Sequence, residues 1–265
     1  MPLTLAAPRL CIVRGVSTNF ERCLRDVPCA IDVERARVQH RGYVELLREI
    51  ADEVVELAPH ADYPDSCYVE DVAVGINRYC VVTRPGAPSR RGEGASVESA
   101  LACHYELARM SSPATLDGGD VMRAGQRFFV GRSARTNGAG IAFLAEVARR
   151  DGAEVIPVAV SRGLHLKSAA TMLGERTVII DPEVIEGAIF EAHGLRCVEA
   201  PESLGANVLA LGAETIVSES APETAALLRE QGYSVRTVAV GELHKGDGAL
   251  SCLSLRVSGR GLWSV

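Results

Sequence analysis

The sequence predicts an α/β protein in which one small unit recurs around a closed ring. A strand, turn, strand, helix, strand pattern returns several times along the 265 residues. One polar residue at the start of each hairpin recurs at a nearly constant period: Asp71, Asp117, His165, Asn207 and Cys252 are 46, 48, 42 and 45 residues apart. The two ends of the chain carry complementary halves of one unit. Joining them closes the ring, leaves no sheet edge free and gives every unit a neighbour to bury its apolar faces.

The unit is clearest from Asp71. Residues 71–76 read as a strand, Asn77-Arg78 as the turn and residues 79–83 as the return strand. Pro85, Gly86 and Pro88 end the hairpin, and apolar residues at 97, 100, 101, 105, 107 and 108 predict a helix over 96–110. The second unit has strands 121–124 and 127–130 about Gly125-Gln126, a helix over 140–150 and a strand over 153–158. The third has strands 166–172 and 177–180 about Gly174-Glu175. Its helix opens at Pro182, where a missing N–H costs nothing, and strand 195–198 follows. The fourth has strands 207–211 and 215–218, a helix from Pro222 to Gly232 and a strand over 234–240. The fifth is split. Cys252 stands near the start of an alternating strand over 248–257, while strand 10–13, an amphipathic helix over 33–50 and strand 53–57 lie at the N-terminal end. Residues 1–265 therefore read as a single catalytic domain without a linker, and residues 16–31 as a lid loop over one face.

Composition narrows the function classes. Hydrophobic residues make up 47% of the chain, enough for a large core. The formal charge is −6 with pI about 5.6, and no basic cluster could track a phosphate backbone, so nucleic acid is excluded as a partner. No apolar run approaches the roughly 20 residues needed to span a bilayer. The N-terminus lacks a basic, apolar leader, and the expectation is a cytoplasmic protein. Eight cysteines, at 11, 23, 29, 67, 80, 103, 197 and 252, form no Cys-x-x-Cys pair. No metal site and no disulfide framework is expected, and apart from Cys252 they read as small buried hydrophobes. No cofactor is implied, and a homodimer is compatible with the composition.

In a ring, the five periodic positions face one axis. That places a thiol, an imidazole and two carboxylates together. A thiolate is a nucleophile, and histidine is the side chain whose ordinary pKa suits proton transfer near neutrality. Two carboxylates beside a thiol would raise its pKa and suppress it. The combination makes sense when the substrate is a cation that stabilises the thiolate, and a guanidinium pairs bidentately with carboxylates. Singly, each residue has a plainer reading: Asp71 as a hairpin edge, Asp117-Gly118-Gly119 as turn chemistry, His165 as a structural histidine and Cys252 as a buried hydrophobe. Cys103-His104 diverge on a helix and form no dyad. Lys167, two residues after His165, reads as a residue at the mouth of the site with no assigned function, and His244-Lys245 read as surface.

The motifs that carry these residues resemble a known family. Pro64-Asp65-Ser66-Cys67-Tyr68-Val69-Glu70-Asp71, residues 83–93, Leu116-Asp117-Gly118-Gly119-Asp120, Ser133-Ala134-Arg135-Thr136-Asn137, Leu164-His165-Leu166-Lys167-Ser168, Ala206-Asn207 and residues 247–255 are similar, in this order, to dimethylarginine dimethylaminohydrolases. These are guanidino-group-modifying enzymes. The resemblance runs from about Asp65 to the end and implies a five-bladed α/β propeller (pentein) of ββαβ units, here closed by the N- and C-terminal strands. It implies that Cys252 attacks the guanidinium carbon. His165 would protonate the departing amine and then activate water against the thiouronium adduct, releasing citrulline. Asp71 and Asp117 would hold the guanidinium, Arg90 and Arg135 would clamp the substrate carboxylate, and Asp65 would take the α-amino group. Glu70 would support the site near His165. Leu24, 47 residues before Asp71 and so about one period away, would bring the lid onto the substrate. The small-molecule substrate implied is asymmetric dimethylarginine or monomethylarginine. Arginine deiminase or amidinotransferase chemistry is the alternative within the superfamily, and a catalytically silent arginine-binding ring is the alternative outside it.

Overall fold

The computed structural model describes residues 5–258 and 261–263. Five small sheets build it, four of them on one plan: an antiparallel hairpin with a third strand added parallel to its second. Strands β3 (Ala73–Ile76), β4 (Tyr79–Val82) and β5 (Glu106–Arg109) form the first, with β4 in the middle. The second is β6 (Val121–Ala124), β7 (Arg127–Arg132) and β8 (Glu154–Ala159), and the third is β9 (Ala170–Gly174), β10 (Thr177–Ile180) and β11 (Arg196–Glu199). The fourth is β12 (Leu209–Leu211), β13 (Glu214–Ser218) and β14 (Ser234–Val238). The fifth joins the chain ends. β1 (Leu10–Arg14) runs parallel to β2 (Glu53–Leu57) and antiparallel to β15 (Leu255–Ser258), with Leu10 opposite Val257, and β16 (Gly261–Trp263) extends β15. The result is a closed five-bladed α/β propeller.

Burial runs from the axis outward. The first strands β3, β9 and β12 are buried at every residue, whereas the third strands β2, β5 and β11 are exposed or half-buried at nearly every residue. The apolar core is distributed between neighbouring units. Val74, Val81, Phe128 and Leu144 fill the space between units one and two, and Leu10, Ile12, Val72, Leu101 and Leu255 fill the seam where the ring closes. Each contact of this kind removes apolar area from water at about 25 cal/mol per Å². The parallel third strand needs a crossover, supplied by α2 (Ala95–Leu101), α3 (Gly138–Arg149), the single turn α5 (Ala188–Glu191), α6 (Pro222–Glu230) and, in the split unit, α1 (Val33–Ile50). Asp32 caps α1 by accepting the Arg35 N–H at 2.9 Å, and Asn137 caps α3 by accepting the Gly140 N–H at 2.8 Å.

Three expectations need correction. The helix expected over 96–110 stops at Leu101, and residues 106–109 are strand β5. Leu107 and Ala108 serve both periods, and pairing to β4 decides between them. Pro182 lies in a turn, and the third crossover helix begins at Ala188. Cys252 is not on a strand: Ser251–Leu253 is a 3-10 turn and β15 starts at Leu255. This last feature belongs to the whole repeat. Asp71 lies within the 3-10 turn Val69–Val72, and Asp117 caps the turn Gly118–Asp120. His165 caps the single helical turn α4 (Leu166–Ala169), and Asn207 closes the turn Ser203–Ala206. Each unit thus enters its hairpin through one tight turn, and that turn carries the periodic residue.

The segment of residues 16–31 runs irregularly apart from the 3-10 turn Phe20–Arg22. Its first half packs down, with Phe20 buried and its ring 6.0 Å edge-on from that of Tyr68. Leu24 and Val27 are exposed.

Candidate active site

The five turns meet around the axis. The turn carrying Cys252 packs on that carrying Asp71, which packs on that carrying Asp117, which packs on α4, which packs on the turn ending at Asn207. Asn207 completes the circle: its Nδ2 donates to Ser251 Oγ at 2.9 Å and its Oδ1 accepts the Ser251 N–H at 3.0 Å. The Cys252 turn is fixed from the other side by Arg256, which donates to Ser251 O and to Ser254 O, and by Tyr43, whose hydroxyl donates to Leu250 O at 3.1 Å. A side chain on a turn held from both sides keeps its position without help from a ligand.

His165 is 3% exposed, and its Nε2 lies 3.0 Å from Asp117 Oδ2. The other face of the ring meets Gly119, where a Cβ would come within 2.6 Å of Nδ1 and 2.9 Å of Asp71 Oδ1. Burial works against an imidazolium here. The carboxylates of Asp71, Asp117 and Asp120 outweigh it and raise the His165 pKa to about 9. Asp71 accepts the Gly119 N–H on Oδ1 at 2.9 Å and Arg90 on Oδ2 at 2.5 Å. Burial favours its neutral form, but the positive charges of His165 and Arg90 prevail and hold it at about 2. Cys252 is 8% exposed. Burial first, then the carboxylates of Asp71 and Glu70, push its thiol up to about 12.

Behind Cys252 sits a second charged group. Glu70 Oε1 lies 2.5 Å from Lys167 Nζ and 2.7 Å from Arg256, all three being at most 2% exposed. Burial lowers the Lys167 pKa, and the ammonium stabilises a thiolate at Cys252. Glu70 therefore sits on the thiol side of the site rather than against the imidazole. Lys167 is interior rather than at the mouth, and His244 is half-buried between Ser218 Oγ and Gly248 O. The signal for Lys167 was a charge enclosed by Leu164, Leu166, Ala169 and Ala170. For Arg256 it was a charge at a strand position between Leu255 and Val257.

The other expected residues also lie here, with altered partners. Asp117 engages His165 directly, and its Oδ1 accepts the Gly86 N–H at 2.8 Å. Arg90, expected to clamp a carboxylate, is 4% exposed and committed to Asp71, to both oxygens of Glu93 and to Tyr68 O. Glu93, its partner three residues on, was not anticipated. Arg135 is more open, with 18% of its side chain exposed and NH1 3.7 Å from Asp117 Oδ2. Asp65 Oδ1 accepts the N–H of Leu24 at 3.0 Å, so that the loop is tied to the site. Asp26 N–H is likewise held by Asp247 Oδ2 at 2.6 Å. A cavity of about 240 Å³ opens beside the Cys252 and His165 turns, lined by Leu164, Asn207, Asp247, Gly248 and Ala249 and edged by Asp26. Of the cysteines, Cys11, Cys23, Cys67 and Cys80 are buried as expected, whereas Cys29 and Cys103 are exposed; Cys103 lies beyond the end of α2. Ligand atoms of Asp71, Asp117 and His165 lie within 4.8 Å of one another, a spacing that admits a metal ion. Those atoms are already spent on Arg90, Gly119 and each other, an arrangement suited to holding a proton or an organic cation. Among the described residues, no helix is long and apolar enough to cross a membrane.

The chain matches no family model. Among curated proteins it is similar to the N(G),N(G)-dimethylarginine dimethylaminohydrolase of Streptomyces coelicolor, 41% identical over 254 residues that cover 95% of this chain and 94% of the relative. It is 31% identical over 227 residues to the protein of the same name from Pseudomonas aeruginosa, covering 85% and 89%. Among solved structures, that of the Pseudomonas aeruginosa enzyme as a cysteine-to-serine mutant complexed with citrulline matches with a TM-score of 0.90 at 29% identity, over 94% of this chain and 99% of that one.

Proposed function

The chain belongs to the dimethylarginine dimethylaminohydrolase family, and from that premise we propose that it hydrolyses Nω-methylated arginine to citrulline and methylamine or dimethylamine through Cys252 and His165. The observation that carries this reading is electrostatic. Free, the thiol is held near 12 by burial and by Asp71 and Glu70, so the site is silent until a cation enters. A substrate guanidinium against Asp71 and Asp117 supplies that charge. The thiol proton leaves to solvent, and the thiolate sulfur bonds to the guanidinium carbon.

His165, protonated up to about pH 9, stands ready to give its proton to the departing amine nitrogen as the C–N bond breaks. The neutral imidazole left behind takes a proton from water, whose oxygen attacks the thiouronium carbon. The C–S bond then breaks, and citrulline and the thiolate are released. One water is consumed and one amine formed. Arg135, the more exposed guanidinium, is assigned to the substrate carboxylate, while Arg90 keeps Asp71 ionised. Asp65 is assigned to the α-amino group; its present partner, the Leu24 N–H, makes loop placement responsive to substrate.

Incubation with asymmetric dimethylarginine, monomethylarginine and arginine tests the reading. Citrulline and the matching methylamines are expected from the first two. Ammonia from arginine at a much higher kcat/KM would assign the chain to deiminase chemistry instead. Cys252→Ala abolishes turnover in this reading and still binds substrate, whereas Cys103→Ala, on the exposed side of the first unit, keeps it.

A further inference from the structure

Asp120 is fully buried on the same short turn that Asp117 caps. The three hydrogen bonds of its carboxylate are all donated to it. Oδ1 accepts the Leu166 N–H at 2.9 Å, and Oδ2 accepts the hydroxyls of Ser133 and Thr136, each at 2.6 Å. The direction of these protons follows from the rest of the network. Ser133 Oγ already accepts the N–H groups of Arg135 and Thr136, and Thr136 Oγ1 already accepts the N–H of Asp117 at 3.2 Å. Each hydroxyl is left with its own proton to give, and Asp120 receives both. Burial raises its pKa above the ordinary carboxylate value; the His165 charge and the three donors oppose that shift, and with every neighbouring proton directed at it the group is placed to act as a carboxylate. Room for it is made by Gly131, where a Cβ would lie 2.5 Å from Oδ1.

Every donor is a neighbour of a site residue: Leu166 follows His165, Thr136 holds Asp117, and Ser133 holds the backbone of Arg135. We propose that Asp120 is a positioning residue that sets His165, Asp117 and Arg135 against one another across the junction of units two and three, acting on the reaction through His165. The proposal rests on the assignment of His165 as the proton donor. Its charge reaches the imidazole together with that of Asp117 at Nε2 and of Asp71 on the Gly119 side. Arg90 and Arg135 stand behind those two carboxylates, and Glu70, Lys167 and Cys252 lie on the adjoining turns. Removing one of three carboxylates leaves burial less opposed, so His165 loses its proton at lower pH.

Asp120→Asn keeps the shape and removes the charge. The expected result is a kcat lowered on the order of tenfold or more with a smaller rise in KM, since the lost charge acts on His165 while Asp117 and Arg135 lose part of their support. The alkaline limb of the kcat–pH profile moves about half a unit to one unit toward acid. The His165 ring resonances, followed by NMR in the unliganded protein, shift their titration in the same direction. Thr136→Val removes the hydroxyl that joins Asp120 to Asp117 and keeps the Ser133 and Leu166 donors: kcat falls, the alkaline limb moves less than in Asp120→Asn and Thr136→Ser restores the rate. A folded Asp120→Asn with the native ring titration, or a Thr136→Val with the native kcat, overturns the proposal. The ring titration is read without turnover, so a wild-type protein that makes no citrulline would defeat the functional reading alone.

Discussion

At Gly119 the site leaves no space for a single methyl group. A Cβ there would lie 2.6 Å from His165 Nδ1 and 2.9 Å from Asp71 Oδ1, inside the contact distance of both. Gly119→Ala is therefore expected to push the imidazole off Asp117 and lower kcat by on the order of a hundredfold, with a much smaller change in melting temperature. A native rate in that variant would mean that the ring does not sit where the Asp117 contact puts it. The thiol makes a separate prediction. With Cys29 and Cys103 replaced by alanine to remove the exposed background, the alkylation rate of Cys252 by iodoacetamide should keep climbing past pH 9, since burial and two carboxylates hold the thiol at about 12. A plateau below pH 8 would show a thiolate preformed without substrate. The chemistry-bearing residue types were legible from one dimension, because a shared period put them at equivalent places. Their pairings were not. Whether Asp117 meets a guanidinium or an imidazole, and whether Arg90 faces outward or clasps Asp71, depends on rotamers set by neighbours far away in sequence.

The tight turn before each hairpin is the element that matters most here. It aims one side chain at the axis and lets the next turn hold it in place. Asn207 is the clearest case, bonded to Ser251 twice and to Lys167 O at 2.8 Å. Asn207→Ala leaves the buried Ser251 N–H and Lys167 C=O without partners and should cost about 1–3 kcal/mol, read as a lowered melting temperature together with a lowered kcat. Loss of stability with an unchanged kcat would mean that the Cys252 turn keeps its position without Asn207. Three of these turns, at Val69–Val72, Leu166–Ala169 and Ser251–Leu253, overlap strands that the sequence predicts, because three or four residues are too few to express a helical period. The same limit hid β5 within an apparent helix. The long elements, α1 and the strand β2 that follows it, stand where the apolar pattern placed them.

Across the whole molecule, closure of the ring couples stability to the ionisation of the site. His165 rises from its ordinary 6.5 to about 9, so its contribution to stability is complete below about pH 6.5 and is lost as pH climbs to about 9. Asp71 falls from 3.8 to about 2, and its contribution is complete above about pH 3.8 and is lost as pH drops to about 2. The difference in melting temperature between the wild type and His165→Asn should accordingly be largest between about pH 4 and 6.5 and shrink by pH 9. A difference independent of pH would separate the imidazole from its carboxylates. By itself the sequence determined the repeat, the closing of the chain ends on one another and which five positions face the axis, since period and strand alternation are properties of the chain read in order. Only the tertiary structure decided which acid meets which base, that Lys167 and Arg256 share Glu70 and that Cys252 rides on a turn. Those outcomes depend on groups from different units being driven together out of water, where each buried charge must find whatever partner the packing brings within reach.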